Sequence, residues 1–223
     1  MEPVKIDSII RSKRKTVSLI ITPEARLVVR APLRTSEAYI EKLVADKKTW
    51  IQRKIAEIAG RPAPSKKQFV DGEEFLFLGK RYPLKFVDNG FTGIELGEHL
   101  CVSGKPGLDI HAALTGWYKS QARIIFGERC ASCARIVGRT PVSIRISHAT
   151  RRWGSCSTRG TVCFSWRLVL APPEIIDYVI VHELVHLIHH NHSKRFWASV
   201  GAIMPDYRER KNWLKVHEQV LTL

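Results

Sequence analysis

Residues 179–193 read VIVHELVHLIHHNHS and hold five of the nine histidines of the chain. A stretch this apolar belongs in a core, and imidazoles buried there need partners. His182, Glu183 and His186 form the pattern H-E-x-x-H. On a helix, residues four apart share a face and lie about 6 Å apart along the axis. Two imidazoles so placed can meet one zinc ion at about 2.1 Å each. Glu183, next to the first of them, can reach a metal-bound water and take its proton as general base. The competing reading of the motif alone is a partly exposed helix with solvated histidines.

A catalytic zinc takes three protein ligands and keeps one position open. His189 lies nearly on the same face, but a row from His182 to His189 spans about 10 Å of helix, too far for one ion. His186 and His190 repeat the four-residue spacing with Leu187 where the base should be, so that pair would bind metal without chemistry. His192 is the best candidate if the helix ends in a turn at Asn191, a residue that tolerates the left-handed conformation. Ser193 can then cap the next helix. His189 and His190 become rim or supporting groups. Glu209, on a later helix, is the rival third ligand.

The formal net charge of +15 either favours anionic partners or serves solubility alone. Its distribution sharpens the choice. From Arg129 to Pro173 there is no acidic residue and no lysine, but there are eight arginines: Arg129, Arg135, Arg139, Arg145, Arg151, Arg152, Arg159 and Arg167. The arginine fork suits carboxylate and phosphate. No run approaches the roughly 18 apolar residues of a membrane span. The start, MEPVKIDSIIRSKRK, has no apolar signal core. Five cysteines fit reduced thiols better than a disulfide framework, so the expected setting is cytoplasmic.

TVSLIIT and RLVVRAP read as paired strands around a PEA turn. TSEAYIEKLVADKKTWIQRKIAEIAG reads as one helix, started by Thr35 or Ser36 and ended by Gly60. RPAPSKKQ is a short linker, and EEFLFLGKRYPLKFVDNGFTGIELGEHLCVSG is strand-like with Gly and Asn-Gly breaks. A long helix follows, over LDIHAALTGWYKSQARIIFGERCASCARIVG, despite Gly116 and Gly127. PVSIRIS and GTVCFSWRLVL alternate as strands. PPEIIDYVIVHELVHLIHH is a helix with proline at its entry. Two short helices close the chain, the second opened by Pro205.

Between the last two strands, Trp153-Gly154-Ser155-Cys156 reads as a tight turn exposing Ser155 and Cys156. Arg151, Arg152 and Ser155, or a backbone N–H here, are candidate substrate or oxyanion contacts. The competing reading is a structural turn pinned by a packed tryptophan. Nothing local supplies Ser155 with a base, which argues against a nucleophile. Cys130 and Cys133 fall in a helical pattern and read as buried thiols. Asp177, Tyr178, Asp206 and Tyr207 are candidates for orienting a ligand imidazole.

RRWGSCSTRGTVCFSWRLVLAPPEIIDYVIVHELVHLIHHNHSKRFW followed by MPDYRERKNWL resembles the YgjP-like metallopeptidase domain family, relatives of the SprT-like and Wss-type zincins. RSKRKTVSLIIT and KKTWIQRKIAEI resemble the same family, so the likeness covers most of the chain. The resemblance implies His182, His186 and His192 as metal ligands, Glu183 as catalytic glutamate, and a compact zincin core.

The expected fold is α+β: a β-rich N-terminal region with one helix over 1–105, then a zincin-like catalytic region over 106–223. The expected function is a zinc-dependent hydrolase, metallopeptidase-like, with one Zn2+ per chain, acting on a peptide or protein. Two alternatives come from the arginine-only segment: a metal-dependent pyrophosphatase of nucleoside triphosphates, and a nucleic-acid-associated metalloprotein tethered by its basic face. No membrane partner is expected.

Overall fold

A computed structural model of the chain describes residues 4–61, 67–88, 92–103 and 109–223. It divides into two units, Met1–Ala63 and Pro64–Leu223. Most of the expected linker, the Asn89-Gly90 break and the junction expected at 105/106 lie outside the described residues.

In the first unit, β1 (Ser8–Ser12), β2 (Ser18–Ile21) and β3 (Leu27–Pro32) form a sheet of order β1-β3-β2. The β2–β3 pair is the antiparallel hairpin that alternation predicts. β1 adds parallel to β3. Its residues SIIRS are mostly exposed and carry no alternating signal. The single helix expected next is two, α1 (Glu37–Asp46) and α2 (Lys48–Ala59), broken at Lys47 with φ −102° and ψ 10°. Ser36 is the cap, its hydroxyl accepting from the Tyr39 N–H at 3.3 Å. Ile40, Val44 and Ile51 close over Leu27, Val29 and Ala31 of β3.

The second unit opens with β4 (Glu74–Phe77), β5 (Lys80–Val87), β6 (Ile94–Leu96) and β7 (Leu100–Ser103), ordered β4-β5-β7-β6. α3 (Ile110–Val137) starts at Asp109, whose carboxylate accepts from the Ala112 N–H at 3.0 Å, and ends at left-handed Gly138. Leu114, Tyr118, Ala122, Phe126 and Cys130 recur every fourth residue along its buried face. Leu114 and Tyr118 share one core cluster with Phe75, Leu84 and Leu100 of the sheet.

β8 (Ser143–Ser147), β9 (Gly154–Cys156) and β10 (Thr161–Ser165) form the third sheet, ordered β8-β10-β9. The strand expected to continue from Thr161 turns into a 3-10 helix at Trp166–Leu170. Trp166, Leu168, Val169 and Leu170 are all buried, and a run buried on every side carries no period to separate strand from helix. α4 (Pro173–Val185) is buried almost all round and packs on α3. α5 (Lys194–Ile203) and α6 (Tyr207–His217) pack on α4.

Among the described residues the chain is thus a mixed α+β structure of six α-helices and three small sheets. None of these helices is long and apolar enough to cross a membrane. The five cysteines are free, with Cys130 and Cys133 buried in α3.

Candidate metal centre

α4 ends earlier than expected. Val185 is its last residue and His186 its cap, followed by a tightened turn in which the N–H groups of Leu187 and Ile188 bond to Leu184 and Val185. The return of the chain does not use a left-handed Asn191, which is absent from the residues with positive φ. Its side-chain oxygen instead accepts from the Ser193 N–H at 3.2 Å. Ser193 then caps α5 through the Phe196 N–H.

This path brings His192 back. Its Nε2 lies 3.0 Å from Nε2 of His182 and 3.2 Å from Nε2 of His186. Among the described residues these three imidazoles form the one cluster whose ligand atoms all lie within 4.8 Å of one another. Glu209 is exposed and outside it. The ring of Phe196, which the sequence reading missed, lies 4.9, 4.5 and 4.8 Å from those of His182, His186 and His192. Trp197 stacks on His192 at 5.7 Å, and Tyr207 stacks on Trp197 at 5.3 Å.

The donor chemistry suits a zinc-class ion. His186 Nδ1 lies 2.9 Å from the His189 carbonyl, which only accepts, so Nδ1 carries the proton and Nε2 keeps its lone pair. Burial, then His186, His192 and Lys211, push His182 down to about 3. Burial likewise lowers His186. Both are therefore neutral at pH 7, as metal ligation requires.

Glu183 is 6% exposed, the one charged residue among the described ones that is buried as a whole. No hydrogen bond from those residues reaches its carboxylate, and burial pushes its pKa up to about 7, against the opposing charge of Arg152. Burying a carboxylate is costly, and one shifted this far by burial marks a candidate functional group.

The expected turn at Trp153–Cys156 is a strand. The turn falls at Ser157–Gly160, with Gly160 at φ 79°, while Gly154–Cys156 forms β9. Trp153 packs on the core. Gly154 is needed for space: a Cβ there would lie 2.6 Å from Glu183 Cγ and Oε1. Among the described residues β9 pairs with β10 alone, which leaves its other edge open. Ser155 faces Cys163, and the bonds from Ser165 N–H to Trp153 C=O and Thr161 C=O from Ser157 N–H flank that pair. Antiparallel pairing alternates, so Gly154 and Cys156 turn their N–H and C=O towards the open edge.

Of the residues expected to orient the imidazoles, the two aspartates pair with arginines and Tyr178 packs on a ligand ring. Asp177 is held by Arg129 at 2.7 Å and Asp206 by Arg210 at 2.8 Å. Tyr178 packs edge-on against His182 at 6.0 Å, with its hydroxyl pushed up to about 12 by burial. His182 Nδ1 is buried without a hydrogen-bond partner among the described residues. A backbone carbonyl, that of His189, orients His186; any residue type supplies such a group, so the sequence carried no sign of it. Of the eight arginines, Arg129 is paired, Arg167 lies over the Trp166 ring at 4.6 Å, and Arg151 and Arg152 are exposed.

No curated protein is significantly similar to the chain. Among solved structures, the metallopeptidase zymogen of Pyrococcus abyssi abylysin is similar at 21% identity, over 44% of this chain and 98% of that one, with a TM-score of 0.39. The family model of the YgjP-like metallopeptidase domain matches residues 15–217, which include the three imidazoles, Glu183 and β9. The chain belongs to the YgjP-like metallopeptidase domain family.

Proposed function

We propose that the chain is a zinc-dependent peptidase with His182, His186 and His192 as ligands and Glu183 as general base. The observation that carries this reading is the convergence of three imidazole nitrogens, with a buried carboxylate, Glu183, next to the first of them on α4. Family membership supports a metal-dependent hydrolase acting on peptides. A set of three imidazole ligands favours zinc over harder ions. Bound there, zinc supplies Lewis acidity, which acidifies water and polarises the carbonyl under attack.

The chain's own residues do the rest. Glu183 accepts the proton of the attacking water and hands it to the departing amine. The open edge of β9 offers the N–H and C=O of Gly154 and Cys156 to an extended substrate, as an added strand. A substrate so bound passes directly over Glu183, because Gly154 has no side chain in between. Phe196 closes the apolar side of the imidazole cluster and limits water there.

The test is zinc-loaded protein assayed in parallel on casein-like peptides and on nucleoside triphosphates. Peptides should be cleaved and triphosphates left intact. Glu183→Gln should keep its ion and lose activity by at least about a hundredfold, the scale of a lost general base. Triphosphate hydrolysis without peptide cleavage would replace this reading with a pyrophosphatase.

A further inference from the structure

Acid is sparse along the segments next to the imidazoles. Glu183 is the one carboxylate between Asp177 and Asp206, and from Arg129 to Pro173 there is none. The nearby cations divide into two kinds. Arg129 and Arg210 have carboxylates of their own, Asp177 and Asp206. Arg152 and Lys211 do not: both are exposed, and neither enters a salt bridge among the described residues. Arg152 precedes Gly154 by two residues, and its charge bears on Glu183. Lys211 holds Nζ 4.4 Å from the centre of the Trp197 ring, which lies 5.6 Å from His182 and 5.7 Å from His192. The site is flanked by two cations that enter no salt bridge among the described residues, and the buried Glu183 is the one carboxylate whose charge Arg152 meets.

The strand geometry says where one of them acts. Pairing with β10 continues back to Trp153, whose C=O accepts from Ser165 N–H at 2.8 Å. An extended chain on the open edge of β9 advances about 3.3 Å per residue. Arg152 therefore stands about two residue positions from the point where the chain crosses Glu183. An arginine fork grips a carboxylate through two parallel hydrogen bonds, and an acidic chain is drawn in by the uncompensated field. A basic chain meets like charge in the same place.

We propose that the site selects acidic peptides, with Arg152 binding an Asp or Glu side chain about two residues from the bond cleaved. This rests on the peptidase reading above. An open strand edge favours a peptide over a nucleotide, since its alternating N–H and C=O groups match another backbone and not a polyphosphate.

The experiment uses two labelled peptides, identical except for Glu or Lys at that position, and the full-length zinc-loaded protein. Binding is read by fluorescence anisotropy on Glu183→Gln protein, which does not depend on turnover. The Glu peptide should bind about tenfold or more tighter than the Lys peptide, the scale of a charge-assisted contact. The ratio should shrink with added salt. Arg152→Glu in the same background should invert the preference. Arg152→Gln, which removes charge alone, should bring the ratio towards one, with metal content checked in both variants to show an intact site. Equal binding of the two peptides, or a preference that survives Arg152→Glu, would overturn the proposal. A parallel kcat/KM measurement on the wild-type protein separates the two levels. Both peptides cleaved at equal rates overturns the selectivity and leaves the peptidase standing; neither peptide cleaved overturns both.

Discussion

Gly154 of β9 and Glu183 of α4 touch so closely that a Cβ on residue 154 would sit 2.6 Å from the carboxylate oxygen Oε1 and 2.8 Å from Cδ. The glycine does not have a positive φ, so its role here is space and not backbone freedom. Gly154→Ala should therefore push the Glu183 side chain aside while leaving the strand intact. Peptide hydrolysis should fall by about a hundredfold or more, as when a general base is misplaced. Bound metal should stay near the wild-type level. Retained activity would show that Glu183 does not act from this position.

The ligand set makes a separate prediction. Wild-type protein should hold about one zinc-class ion per chain on three histidines. His192→Ala should lose it, because His192 contributes one of the three Nε2 atoms within 4.8 Å of one another. Glu209→Ala should keep it, since Glu209 is exposed on α6 and outside that cluster. Elemental analysis after dialysis decides. The opposite pattern would make Glu209 the third ligand.

Metal-free protein should show the cost of burying Glu183 as a pH effect. Burial raises its pKa from 4.5 to about 7. Between those values the folded chain binds a proton that the unfolded chain does not, so this residue's contribution to stability falls as pH rises through the window. Glu183→Gln removes that dependence. Its advantage over wild type should grow from pH 4.5 to 7 and level off above, approaching the order of 3 kcal/mol. Urea denaturation of both proteins across this range measures it. A constant difference would mean that the carboxylate is not held protonated by burial.

Gly116 offers a contrast with Gly154. It sits in the second turn of α3, exposed, and a Cβ there would meet nothing within 4 Å. Gly116→Ala should stabilise the chain by roughly 0.5–1 kcal/mol through helix propensity alone. Thermal unfolding should shift upward with no change in metal content. A loss of stability would mean that this face of α3 is closed off.

What the sequence by itself determined is local. The i, i+4 spacing of His182 and His186, with Glu183 between them, sets their places on a helix before any packing is known. The caps at Ser36 and Ser193 follow from short-range hydrogen bonding. The β2–β3 hairpin follows from alternation. Tertiary structure decided the rest. Whether His192 or Glu209 approaches the histidine pair depended on where α4 ends and how the chain returns, and the end came at Val185, with tightened backbone bonds that no side chain announces. Asp177 and Asp206 looked like any carboxylates near a histidine helix until Arg129 and Arg210 were found beside them. The strand character of Gly154–Cys156, and the contact that leaves room for Glu183, join residues 29 apart in the chain. Periodicity and capping act over a few residues, because they come from one helix turn or one strand pleat. Contacts across the core are chosen by the packing of the whole unit, and a single sequence read along its length does not display them.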